Sequence, residues 1–88
     1  MLEETEYKKK LEETLLKINE YFDFSDIRGN GVGSFIFAKK TKKTVEIYQS
    51  ENSVIIELWE NEDSDSTEME VGSYQEVVDL VTEWINKK

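Results

Sequence analysis

The sequence predicts an α+β domain in the order α-β-β-β-(β)-α, an antiparallel three- or four-stranded meander with two helices packed on one sheet face. Apolar residues recur with a period near 3.6 at both ends of the chain and with a period of 2 through its middle, and no proline interrupts either pattern. Two one-sided helices need the same apolar sheet face, so the other face is left to water or to a partner.

The first helix is expected over residues 3–22. Tyr7, Leu11, Leu15, Ile18 and Phe22 follow one another at spacings of 4, 4, 3 and 4, which puts them on one stripe. Glu4–Lys8, Glu6–Lys10 and Glu13–Lys17 place acid before base at i,i+4, each supporting the helix by ~0.2–0.5 kcal/mol. The helix should stop near Asp23. In the stretch from Ile27 to Phe37, Gly29, Gly31 and Gly33 then suggest a left-handed glycine ending the helix and a loose lead into an edge strand.

Strands are expected at residues 34–39, 44–49, 54–60 and 67–71, with a basic turn at Lys39–Lys43. The segment Ser50–Ser53 reads as a two-residue turn, with Asn52 suited to left-handed geometry. Pairing Ser50 with Ser53 sets Ile47 opposite Ile56 and Val45 opposite Leu58 on the buried side. On the open side the same register sets Tyr48 opposite Ile55 and Glu46 opposite Glu57, with Trp59 at the far end. The second helix is expected over residues 74–87. Ser73 and Glu76 have capping-box spacing, in which the Glu76 carboxylate would return to the Ser73 amide. Val77, Val81 and Trp84, with Val78 and Ile85, form its stripe, and Lys87 and Lys88 suit the negative end of its dipole.

Eighty-eight residues make a single domain, 1–88, able to bury roughly 60–65% of its unfolded surface but too small to enclose a roomy active-site cleft. Cysteine and histidine are both absent. That removes disulfides, Cys/His zinc sites, thiol nucleophiles and imidazole bases, so an enzyme is not expected. No apolar run approaches the ~20 residues of a membrane span, and the acidic start lacks a secretory signal pattern, so a cytoplasmic protein with no membrane partner is expected.

The net charge of −9 is unevenly placed. Residues 1–43 carry eight acids and nine bases, whereas residues 44–86 carry twelve acids and no base. Nucleic acid is not expected as a partner, because phosphates need Lys and Arg to neutralise them. A basic protein as partner, or simple solubility, remains to account for the charge.

Two motifs fail on inspection. The alternate glycines lie after a helix and before a strand, the reverse of a dinucleotide fingerprint, and Ser34 stands where its last glycine belongs. Glu62, Asp63 and Asp65 cluster in a loop, but a calcium loop begun at Asp63 would need Gly and Glu where Glu68 and Tyr74 stand. No cofactor and no metal site are expected.

The open sheet face remains. A patch of Ile36, Tyr48, Ile55 and Trp59 ringed by carboxylates suggests a binding surface, with Glu46, Tyr48, Ile55, Glu57 and Trp59 as its partner-binding residues. The expected function is a small acidic interaction module for a basic protein, in the manner of an inhibitor, an immunity-like protein or a nucleic-acid mimic. One alternative is a structural homodimer closed through the same face. A further alternative is a weak nucleotide or metal binder.

Overall fold

The computed structural model describes residues 4–29, 33–61 and 63–86, with side chains from Glu6 onward. Gly31, Glu62, Lys87, Lys88 and the Glu4 side chain, each given a role above, lie outside that description. Helix α1 spans Glu4–Ile18 and runs into a 3-10 turn at Asn19–Tyr21. Five strands follow: β1 Phe24–Arg28, β2 Phe35–Lys40, β3 Lys43–Ser50, β4 Ser53–Trp59 and β5 Thr67–Val71. Helix α2, Tyr74–Asn86, ends the described chain. The strands form one antiparallel sheet in the order β1-β2-β3-β4-β5, each beside its neighbour in sequence.

Both helices lie on one face of this sheet, as expected, and a row of isoleucines explains why. The register aligns Ile27, Ile36, Ile47 and Ile56 straight across four strands. Ile36, Ile47 and Ile56 are fully buried with Ala38 and Val45 beside them, beneath Leu11 and Ile18 of α1 and Val77 and Val81 of α2. β-branched side chains suit this pleated surface, and the helical stripes supply the complementary layer.

At one end of the core a polar network ties α1, β3, β4, α2 and the segment before β2 together. The Tyr7 hydroxyl donates to the Ser34 carbonyl and accepts from the Gln49 amide at 3.2 Å. Tyr74 of α2 donates to Gln49 Oε1 at 2.8 Å, and Gln49 Nε2 donates to the carbonyls of Ser50 and Ser53, each at 3.1 Å. Burial raises the pKa of Tyr7 and Tyr74, which keeps both hydroxyls protonated as donors.

Four expectations are corrected by the structure. Strand β1 occupies a segment read as the way out of the first helix, so β2 is an inner strand and β1 is the edge. Gly29 is left-handed (φ 86) but ends β1, the helix having finished earlier at the 3-10 turn. Among the described non-glycine residues the one at positive φ is Thr41 (φ 54) in the β2–β3 turn, not Asn52, and its amide donates to Asp23 Oδ2 at 3.1 Å. In the cap of α2, Ser73 Oγ accepts from the Glu76 amide at 3.3 Å, but the Glu76 carboxylate accepts from the Gly72 amide at 3.1 Å, one residue before the expected partner.

Candidate functional site

Side chains alternate across a strand, so a register that buries the isoleucine row fixes what lies on the opposite face. Three rows cross that face. The first runs Arg28, Phe35, Tyr48, Ile55 and Glu70 from β1 to β5. The middle row runs Asp26, Phe37, Glu46, Glu57 and Glu68. The third holds Phe24, Lys39, Thr44 and Trp59. On β3 and β4 the carboxylates of the middle row thus have Tyr48 and Ile55 on one side and Thr44 and Trp59 on the other, while Phe37 interrupts the line on β2 and Glu70 stands beside it on β5.

All five residues expected from the sequence fall on this face. Glu46, Tyr48, Glu57 and Trp59 are partly exposed, whereas Ile55 is 6% exposed and forms floor between Tyr48 and Glu70. Ile36 does not belong here: it lies in the core with 0% exposure. Phe35 and Phe37 take its place, because Phe35, Ile36 and Phe37 are all apolar and no polar residue among them marks the phase of the strand. Phe24 and Arg28 were missed along with β1. Phe24 is 49% exposed and meets the Phe37 ring edge-on at 6.2 Å between centroids.

The electrostatics follow from the alignment. Glu46 and Glu57 stand directly opposite each other, and Glu68 extends the line to the edge. Burial first and the Glu57 charge second raise the Glu46 pKa, with Arg28 pulling the other way. Tyr48 donates to Glu57 Oε1 at 3.0 Å. Its own pKa is pushed up to about 12, by burial, by that hydrogen bond and by the charges of Glu57, Glu68 and Glu46. The carboxylates of β3, β4 and β5 thus crowd one another, with Tyr48 donating to one of them and Arg28 acting against the crowding from the β1 end.

Two cations of the chain lie on this face, Lys39 in the third row and Arg28 in the first. The Arg28 guanidinium lies 4.1 Å from the Phe37 ring centroid and 5.7 Å from that of Phe24, a cation–π arrangement at the β1 end of the carboxylate line. Two shallow depressions flank Glu46. One, of about 260 Å³, is lined by Thr44, Glu46, Trp59 and Asn61. The other, of about 230 Å³, is lined by Gly33, Ser34, Phe35, Glu46, Tyr48 and Gln49.

The other two motifs have local structural uses. A Cβ on Gly29 would lie 2.5 Å from the Gly33 carbonyl oxygen, so glycine there permits close passage of backbone across the β1–β2 connection. In the acidic loop Asn61 Oδ1 accepts from the Asp63 amide at 2.9 Å, and Ser64 Oγ donates to the Asn61 carbonyl at 2.9 Å. Among the described residues no three carboxylates are placed to hold a metal ion, and no helix is long and apolar enough to cross a membrane. No family model, curated protein or solved structure matches the chain.

Proposed function

We propose that the chain is a non-catalytic protein-interaction module whose open sheet face binds a basic protein. The observation that carries this reading is the middle row, in which Glu46, Glu57 and Glu68 occupy one line across adjacent strands, with Tyr48 beside Glu46 and Trp59 beside Glu57. Like charges in register cost a sheet roughly 0.2–1 kcal/mol per pair, and a cationic partner turns that cost into attraction. Phe35, Tyr48 and Trp59 supply the apolar contact that converts attraction into residence, since aromatic anchors dominate interface energies. The absence of any base from residues 44–86 extends the same polarity over β3 beyond Lys43 and over β4, β5 and α2.

Closure of this face in a homodimer is the weaker reading, for a reason of symmetry. A two-fold axis across the strands lays each carboxylate of the middle row on its own copy. A two-fold axis along the strands, over the central one, lays Glu46 on Glu46 and Asp26 on Glu68. Both stack like charges in the layer that should be most apolar.

Affinity capture from native lysate with the wild-type chain and with a Glu46→Gln/Trp59→Ala variant tests the proposal. A basic protein retained by the wild type at about 50 mM salt, released at about 500 mM and not retained by the variant is the expected result. Equal retention by both chains, or no basic protein at low salt, would refute it.

A further inference from the structure

The spacing of the middle row specifies the shape of what it receives; this step rests on the reading that the face binds a basic protein. Neighbouring strands lie about 4.8 Å apart, so the register positions of Glu46, Glu57 and Glu68 advance by about that step and span roughly 10 Å. Same-face residues of an extended strand advance by about 6.7 Å, and three of them span about 13 Å, which loses alignment within the row. Residues one turn apart on an α-helix advance by about 5 Å, and i to i+7 spans about 10.5 Å. A helix axis laid across the strands keeps in step with the row.

The width agrees as well. The flanking rows lie about 6.7 Å to either side of the middle one, and a helix with its side chains is about 10–12 Å across. Its centre line would meet the carboxylates while its shoulders reach Tyr48 on one side and Trp59 on the other. A partner sheet would cover all three rows flat and strip water from every charge, which is costly even for paired ions. A cylinder leaves the margins of the row wet. At the β1 end Arg28 already occupies the aromatic ground over Phe37, which confines an incoming ligand to β3, β4 and β5.

We infer that the partner presents an amphipathic α-helix laid across β3, β4 and β5, with Lys or Arg at i, i+3 or i+4, and i+7 meeting Glu46, Glu57 and Glu68. Apolar residues beside those cations contact Tyr48 and Trp59. Docking would turn the two-layer molecule into a three-layer one, with helices on both faces of the sheet.

Two synthetic peptides of identical composition and roughly 18 residues test this. One carries Lys at helical spacing with Leu beside it, and the other alternates Lys and Leu in a strand pattern. Each is titrated into the full chain at low salt, following heat, peptide circular dichroism and the amide resonances of β3 to β5. The expected result is binding of the helical peptide at least about tenfold tighter than the alternating one, with a gain in helicity and shifts centred on Glu46, Glu57 and Glu68. A Glu46→Gln/Glu68→Gln variant should lose at least about tenfold of that affinity. Equal or tighter binding of the alternating peptide at the same residues would overturn the helical partner while leaving a basic partner in place. No binding of either peptide at low salt would remove both.

Discussion

At Gly29 the backbone has a need that no side chain meets. Its φ of 86 and the 2.5 Å that would separate an added Cβ from the Gly33 oxygen each oppose substitution. Gly29→Ala should therefore destabilise the fold by at least about 1 kcal/mol, read as a lower urea midpoint with an unchanged slope. Gly33 has nothing within 4 Å of such a Cβ, so Gly33→Ala is the matched control and should cost far less. The glycine spacing was visible in the sequence, but the difference between these positions was not, because it depends on how closely the chain passes itself. Phase was the other residue-scale ambiguity. Glu46 and Glu57 declare which face of β3 and β4 is outward, whereas Phe35, Ile36 and Phe37 declare nothing, and Ile36 was set on the wrong side.

On the inner strands β3 and β4, each outward acid of the middle row is the sequence neighbour of a fully buried isoleucine: Glu46 beside Ile47 and Glu57 beside Ile56. Slipping a strand by one residue would bury a carboxylate, so the row guards the register as well as forming a surface. The β3–β4 pairing was legible for this reason: alternation set the faces and the short Ser50–Ser53 turn set the register. Strand β1 was not legible, since it is five residues long, holds Asp26 and Arg28, and turns only Ser25 and Ile27 inward. The raised pKa of Glu46 has a stability consequence whose sign is definite. The folded state takes up this proton more readily than the unfolded chain, whose value is near 4.5, so the stability linked to it is complete below that pH and is lost as pH rises through the folded value. Glu46→Gln should accordingly stabilise the protein at pH 7 by about 0.2–1 kcal/mol, with the gain fading towards pH 4. Urea unfolding of both chains at the two pH values reads this directly, and a variant less stable than wild type at pH 7 would contradict it. The same substitution should weaken partner binding, and opposite signs in stability and affinity mark a residue kept for function.

Across the whole molecule, charge and shape separate. The helices and the isoleucine row make one apolar interface, the open face gathers acids and aromatics, and Lys40, Lys42 and Lys43 surround a third depression with Thr41, Glu60 and Ile85 at one end of the sheet. Composition announced the charge, and periodicity announced the two layers. The identity of a partner lay beyond both, because it depends on a second surface.

The simple strand order carries one more consequence. Every strand pairs only with its neighbours in sequence, so β5 can part from β4 by breaking five register pairs and leaving the rest of the sheet intact, and β1 can part from β2 in the same way. The β3–β4 ladder, with seven pairs and a neighbour on each side, opens only when the sheet itself fails. Amide hydrogen exchange should be slowest in β3 and β4 and fastest in β1 and β5, and uniform protection of all five strands would contradict that gradient. Glu68 lies on β5, so a ligand spanning Glu46 to Glu68 would clamp one fraying margin to the centre of the sheet and leave the other free to open.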